Sequence, residues 1–143
     1  LYEEMRAFRE ACGEAHVKAI LATGELGTLQ NVARASLVCM MAGADFIKTS
    51  TGKEGVNATL PVSLVMMRAI REYYARTGYR VGYKPAGGIS SVRDAQLYLS
   101  LAETVMGEGW VMPTTFRFGA SGLLNDIQAV LDGKQSSAAS SGY

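Results

Sequence analysis

The sequence lacks the features that mark several large classes of protein. Its 143 residues contain no apolar run long enough to span a bilayer, which excludes a helical membrane protein. The formal net charge is only +1, and the charged residues are scattered, so the chain has no basic surface of the kind that nucleic acids require. We therefore expect one globular unit that binds neither a membrane nor nucleic acid.

Cysteine and histidine are scarce as well. Cys12 and Cys39 have no CxxC or Cys/His spacing, and His16 is the single histidine, so no metal site is predicted. We expect two free thiols, a structural histidine and a reducing, cytoplasmic setting. The chain begins at Leu1, inside a predicted helix, which favours additional sequence upstream.

What the chain does contain is a regular alternation of strand and helix patterns. The patterns predict helices over 2–11, 28–42, 61–77, 90–102 and 121–131, strands over 17–23, 45–49, 80–84 and 116–118, and a flexible Ser-rich tail over 133–143. Four successive strand-then-helix units imply parallel strands and an α/β fold. Two closures stay open: a small doubly wound sheet, or four units of an eight-unit barrel of about 250 residues.

Two of the predicted strands end in a lysine, Lys48 in FIKTS and Lys84 in VGYKPAGG. A single lysine at a strand end is usually explained by its ammonium group reaching solvent or pairing with a carboxylate. Two on neighbouring parallel strands, about 4.8 Å apart, would repel each other if both were charged. A cationic neighbour and desolvation produce the neutral amine that attacks a carbonyl. The pair therefore predicts a nucleophilic lysine and the cation that lowers its pKa.

Glycine-bearing turns surround these lysines, each before a predicted helix: Gly52, Gly87-Gly88 and the GASG segment 119–122. Glycine lets backbone N–H groups approach an anion, and a helix N-terminus adds a favourable dipole. An ordinary tight turn would explain any one of them, but three at one edge predict a phosphate site.

The Gly52-Lys53 pair is not a nucleotide-binding P-loop. Ile47 stands where the motif needs its first glycine, and Glu54 stands where it needs Ser or Thr. The sequence also has no GxGxxG turn that opens a helix, so dinucleotide binding has no direct support.

Several motifs, in this order, resemble the deoxyribose-phosphate aldolase family. They are ILATGEL (20–26), FIKTSTGK (46–53), NAT (57–59), GYKPAGGI (82–89) and RFGAS (117–121). The resemblance implies a (β/α)8 TIM barrel, of which residues 1–132 supply about the last four units. It also implies a class I aldolase that reversibly cleaves 2-deoxy-D-ribose 5-phosphate to D-glyceraldehyde 3-phosphate and acetaldehyde, without a metal or organic cofactor.

The resemblance also implies roles for individual residues. Lys48 forms the Schiff base, Lys84 is the cation that depresses its pKa, and Lys18 and Thr51 line the same pocket. The substrate phosphate is assigned to Gly52, Lys53, Gly87, Gly88, Gly119 and Ser121. The family's main proton-shuttle carboxylate lies on an earlier strand that this sequence does not contain, and a terminal tyrosine, here Tyr143, assists the proton transfer.

Two other functions remain as alternatives at this point. One is a non-catalytic phosphosugar-binding or interaction module that keeps the phosphate turns without the proton shuttle. The other is a small doubly wound nucleotide-binding protein. Half a barrel would expose strand edges and an open interior, so we also expect association into a homo-oligomer.

Overall fold

The computed structural model describes residues 1–137. The elements in chain order are α1 (Tyr2–Cys12), β1 (Lys18–Ile20), a 3-10 turn (Thr23–Glu25), α2 (Leu29–Met41), β2 (Phe46–Lys48), α3 (Leu60–Thr77), β3 (Gly82–Lys84), α4 (Val92–Met106) and α5 (Leu123–Leu131). All five predicted helices are present. The strands are shorter than predicted, with three residues each.

The strands form one parallel sheet in the order β1-β2-β3. Ala19, Ile47 and Tyr83 are aligned across it, and the next row contains Ile20, Lys48 and Lys84. A helix follows each strand before the next one begins, so the strands meet with their carboxyl ends at the same edge. This is the arrangement of consecutive units in a (β/α)8 barrel.

The predicted fourth strand is reduced to two isolated bridges, Tyr83 with Phe116 and Ala86 with Gly119. Its chain still runs parallel to β3, since Tyr83 N–H donates to Thr115 O at 2.7 Å and Arg117 N–H donates to Tyr83 O at 3.1 Å. Among the described residues this segment pairs on one side only. The segment is thus joined to β3 by separate bridges and not by a continuous ladder.

β1 ends earlier than the prediction, which extended it to Thr23. Ala22 takes a left-handed conformation with φ of 50°, and Thr23 begins the 3-10 turn. A residue other than glycine rarely adopts positive φ, and the alternating pattern of ILAT carries no signal of this break. The prediction was therefore too long at this end.

Side-chain caps set the starts of three helices. Asn31 N–H donates to Thr28 Oγ1 at 3.1 Å, and Val62 N–H donates to Thr59 Oγ1 at 3.4 Å. Ser91 and Asp94 form a reciprocal capping box at α4. Short polar side chains thus satisfy the first N–H groups of the helices that follow β1, β2 and β3.

The core lies between the sheet and the helices. Ile47 and Tyr83 are completely buried on the helix-facing side, together with Met66 of α3. Tyr83 O–H donates to Ser63 Oγ at 2.6 Å, so this buried phenol has a partner. Strand residues alternate between faces, so burying this row directs Lys48 and Lys84 to the opposite, open face.

The beginning of the predicted flexible tail is attached to α5. Ser136 Oγ donates to Asp126 Oδ2 at 2.6 Å, and Ser137 N–H donates to Asp126 Oδ1 at 2.7 Å. Val92 N–H at the start of α4 also donates to Asp126 Oδ2, at 2.7 Å. The rest of that segment, including Tyr143, lies outside the described residues. Within residues 1–137, none of the helices is both long and apolar enough to span a bilayer.

Candidate active site

The two predicted lysines lie side by side at the carboxyl ends of β2 and β3. They are direct register partners, and both are half-buried. Because directly paired residues on neighbouring strands point to the same face, the two amines share one face of the sheet. The strands that carry them are about 4.8 Å apart. The structure therefore brings together the two residues on which the sequence-based hypothesis depends.

Arg117 is a third cation in this row. The Tyr83–Phe116 bridge aligns Arg117 with Lys84, and strand alternation directs its side chain away from the buried Phe116. Its Nε–H donates to Pro113 O at 2.9 Å. No role was predicted for Arg117 from the sequence, although this residue opens the RFGAS motif. Counting alternate residues back from Gly119 would have placed it on the lysine face.

Phe46 forms an aromatic platform below the lysines. Lys18 Nζ lies 5.5 Å from the centre of its ring, and Arg117 Cζ lies 6.0 Å from it, both within the range of a cation–π contact. The ring crosses β3 at Gly82, where an added Cβ would lie 2.3–2.6 Å from three ring atoms. Glycine at position 82 is therefore required for one aromatic ring to contact cations from both sides.

We call the four cations Lys18, Lys48, Lys84 and Arg117 the cationic wall. The pKa of Lys84 is lowered from its ordinary value of 10.5, first by burial and then by the charges of Lys48, Lys18 and Arg117. The sequence analysis placed the lowered pKa on Lys48, with Lys84 as its charged neighbour. In the structure the lowered pKa belongs to Lys84, because burial of its own amine is the largest cause.

A cavity of about 450 Å3 opens beside the wall. All three predicted glycine turns line it, together with one of the two lysines: Lys48, Thr51, Gly52, Lys53, Gly87, Gly88, Gly119 and Ser121 are among its lining residues. No carboxylate is among those residues within the described part of the chain. The cavity is therefore basic and suited to an anionic small molecule.

Two buried hydroxyls that were not predicted from the sequence bind the backbone of Ala86, which lines this cavity. Thr49 Oγ1 and Ser50 Oγ both donate to Ala86 O, at 3.0 and 2.6 Å, and Thr49 Oγ1 accepts from Ala86 N–H at 2.9 Å. Both side chains are completely buried. They attach the end of β2 to the turn after Lys84, and only their position directly after a strand-end lysine could have indicated this role.

The turns at Gly87 and Gly119 bind each other through their backbones. Gly87 N–H donates to Gly119 O at 3.3 Å, and Gly119 N–H donates to Pro85 O at 2.8 Å. An added Cβ at Gly119 would lie 2.6 Å from Ala86 Cβ and 3.1 Å from Lys84 Cε. Glycine here lets the turn pass directly against the Lys84 side chain.

The turn at Gly52 is already occupied by a carboxylate from the same loop. The backbone N–H groups of Thr51, Gly52 and Lys53 donate to the Glu54 side chain at 3.0–3.1 Å, and Thr51 Oγ1 donates to it at 3.0 Å. Successive N–H groups that converge in this way form an anion-binding nest. The structure thus shows an anion at one predicted phosphate turn, and that anion is Glu54.

Other predicted residues lie outside this cluster. His16 is exposed, and residues 1–137 contain no group of three or more His, Cys, Asp or Glu side chains that could hold a metal ion. Cys12 and Cys39 are free thiols. Tyr143 lies outside the described residues.

The parallel strands with paired lysines at their carboxyl ends define the chain as a lysine-bearing segment of a (β/α)8 barrel. It belongs to the DeoC/LacD family of aldolases, whose family model matches residues 1–129. This confirms the barrel over the doubly wound sheet, and it confirms the family indicated by the motifs.

Individual relatives agree with this assignment. The deoxyribose-phosphate aldolase of Homo sapiens is 62% identical over 128 residues, which cover 90% of this chain and 40% of the human protein. That of Agrobacterium fabrum is 52% identical over 142 residues, which cover 99% of this chain and 53% of that protein. The chain thus spans about half or less of the length of these relatives.

The fold has close counterparts among solved structures. A crystal structure described as a putative deoxyribose-phosphate aldolase from Toxoplasma gondii ME49 matches with a TM-score of 0.82 at 22% sequence identity. The match covers 94% of this chain and 54% of that one. The three strands and the bridged fourth segment therefore correspond to about half of a known barrel.

Proposed function

We propose that the chain acts as part of a class I aldolase that reversibly cleaves 2-deoxy-D-ribose 5-phosphate to D-glyceraldehyde 3-phosphate and acetaldehyde. The observation that carries the proposal is the register pairing of Lys48 with Lys84 beside a cavity rimmed by three glycine turns. The relatives' shared name favours this function over the non-catalytic binding module.

In this proposal Lys48 is the nucleophile. Its neutral amine adds to the C1 aldehyde of the open-chain sugar, and loss of water leaves a protonated imine. A base removes the proton of the C3 hydroxyl, the C2–C3 bond breaks, and its electron pair moves toward the iminium nitrogen. Glyceraldehyde 3-phosphate departs, and an enamine remains on Lys48. Protonation of the enamine carbon and hydrolysis of the imine then release acetaldehyde and the free amine.

Lys84 supplies the electrostatic environment for this chemistry. It lies next to Lys48 in the sheet register, and the charges of the two amines oppose each other. Because the pair relieves repulsion by losing one proton, a neutral amine is present at a lower pH than an isolated lysine would allow. Lys18 and Thr51 complete the surroundings of the sugar.

The phosphate group is proposed to bind at the glycine turns. Lys53 contributes a charge, and Gly52, Gly87, Gly88, Gly119 and Ser121 shape a rim where backbone groups approach an anion. The basic character of the cavity supports this assignment. Since no carboxylate lines the cavity in the described residues, we propose that the proton shuttle comes from outside this lining, and that Tyr143 assists it.

Setting and assembly follow as parts of the same proposal. Both cysteines are free thiols, which supports a reducing, cytoplasmic compartment. Ile20 on the open face of the sheet is 48% exposed, and Leu124 and Leu131 on α5 are 72% and 81% exposed. Apolar side chains this exposed favour association with a further chain, and a homo-oligomer is the form we propose.

Trapping the imine tests the proposed function directly. Borohydride reduces a C=N bond to a stable secondary amine, so treatment in the presence of substrate should attach the sugar fragment to the peptide containing Lys48, as read by mass spectrometry. Lys48→Ala should abolish both the adduct and turnover, whereas Lys134→Ala, a charge change on the exposed segment after α5, should leave both intact. An adduct confined to another lysine, or no adduct, would refute the assignment.

A further inference from the structure

The nest at Thr51–Lys53 is filled by a fully formed set of hydrogen bonds. Thr51 N–H is 3.0 Å from each oxygen of the Glu54 carboxylate, and Gly52 N–H and Lys53 N–H are each 3.1 Å from Oε2. Gly52 has φ of 93°, a left-handed conformation that turns consecutive N–H groups toward one point. The carboxylate occupies the position that suits an oxygen of a bound oxyanion.

Glu54 is charged in the whole neutral range. The N–H of Thr51 is the main cause that lowers the pKa of its carboxyl from 4.5 to about 2. A change of pH around neutrality therefore does not empty the nest. Near neutral pH, only an anion that binds the same N–H groups more strongly can displace the carboxylate.

The loop has other bonds that keep its shape without this carboxylate. Asn57 Nδ2 donates to the backbone carbonyl of Glu54 at 2.9 Å, and Ala58 N–H donates to Ala86 O at 3.3 Å. The Asn57 side chain also packs against Gly87, where an added Cβ would lie 2.5–2.7 Å from its atoms. The Glu54 side chain can therefore rotate out while the backbone of the nest stays in place.

The residues that form the nest also line the cavity that the proposed function assigns to the substrate. Thr51, Gly52 and Lys53 line that cavity together with Lys48 and the turns at Gly87 and Gly119. A phosphate bound across these turns would need the same N–H groups that Glu54 now holds. A dianion gains more from converging N–H groups and nearby lysines than a single carboxylate does.

We propose that Glu54 is a specificity-determining residue, an internal occupant of the phosphate nest that a phosphate dianion displaces and that a neutral sugar does not. The proposal rests on the proposed function, since it concerns the phosphate end of the same cavity. Its consequence is a lower affinity for every phosphate ligand and a smaller preference for phosphorylated over unphosphorylated sugars, since a neutral sugar leaves the nest closed and does not compete with the carboxylate.

Inorganic phosphate is the direct probe, because its binding requires neither an imine nor turnover. Glu54→Gln removes the charge and keeps the size of the side chain, and Glu54→Ala removes the competitor altogether. Titration calorimetry on the full chain should show the Kd for phosphate falling several-fold in Glu54→Gln and further in Glu54→Ala. Glu103→Gln, the same charge change on the exposed face of α4, should leave the Kd unchanged.

Backbone amide NMR locates the binding event. Addition of phosphate to the unmodified chain should shift the amide resonances of Thr51, Gly52 and Lys53, and the same resonances should shift on Glu54→Ala before any phosphate is added. An unchanged or raised Kd in both Glu54 variants would show that the carboxylate braces the loop and would overturn the proposal. So would phosphate binding that leaves the three amides unperturbed. Borohydride trapping on Lys48 is independent of these results, so failure of one proposal is distinguishable from failure of the other.

Discussion

The cationic wall and the Glu54-filled nest differ in whether their charged and polar groups have partners. In the wall, four like charges lie on one face of the sheet, and among the described residues none of the four forms a salt bridge. In the nest, each N–H group is paired with an internal carboxylate. Repulsion between the unpaired cations of the wall shifts the protonation equilibrium of Lys84. In the nest, a new anion can bind only by replacing the Glu54 carboxylate on the same N–H groups. Reactivity is thus concentrated at the wall and selectivity at the nest.

Removing one charge from the wall should have the largest effect. Lys84→Leu deletes the charge next to Lys48, so the remaining amine should stay protonated to a higher pH. We expect imine formation near neutral pH to slow by about tenfold or more, since protonation removes the lone pair with which the amine attacks the carbonyl. The rate of borohydride trapping across pH should show a profile displaced upward. An unshifted profile would mean that the two lysines do not interact.

Replacing Gly82 beneath the Phe46 ring should disturb the cationic wall through a steric clash. Gly82→Ala places a Cβ within 2.3–2.6 Å of the Phe46 ring, so the ring must move and lose its contact with Lys18 or Arg117. Overpacking of this kind costs about 1–3 kcal/mol in the free energy of unfolding, as measured by urea denaturation. Gly55→Ala is the matched control, because no atom lies within 4 Å of its added Cβ.

Arg117 offers a finer test of the wall. Its charge lowers the pKa of Lys84 less than the charge of Lys48 does, so Arg117→Met should displace the pH titration profile of Lys84, followed by side-chain NMR, upward and by less than Lys48→Met does. Arg117→Lys keeps the charge and should leave the profile near its original position. Equal displacement in both variants would show that the guanidinium acts through packing on Phe46 and not through charge.

The smallest expected effects are on the pH dependence of stability, where the wall and the nest act in different pH ranges. The lowered pKa of Lys84 means that the unfolded chain binds more protons than the folded chain between that pKa and 10.5, so stability rises with pH in this alkaline window. The lowered pKa of Glu54 contributes stability above 4.5 that is lost as the pH falls toward about 2. Thermal unfolding across both windows should show Lys84→Met flattening only the first and Glu54→Gln only the second.

The sequence supported some site predictions because they depend on strand alternation and turn chemistry. Lys48 and Lys84 each follow an apolar strand and precede a break, so their common edge follows from parallel pairing. The glycine turns converge for the same reason. Thr49 and Ser50 were missed because their roles come from burial and contacts between distant segments, which local patterns do not encode, whereas strand alternation could have placed Arg117. Glu54 was considered only as a mismatch to a P-loop, since the sequence does not show that its carboxylate binds the N–H groups of the preceding residues.

By itself the sequence determined the α/β order, the helix cap at Thr28, the approximate helix starts near Pro61 and at Ser90 or Ser91, and the family to which the chain belongs. These follow from local propensity, capping and motifs, which act over a few neighbouring residues. Only the tertiary structure decided that Phe46 contacts Lys18 and Arg117 across Gly82, and that Glu54 fills the nest. Those outcomes depend on distances between segments far apart in the chain, or on the path of one loop. Packing and electrostatic interactions are set by these distances, and the local sequence pattern does not specify them.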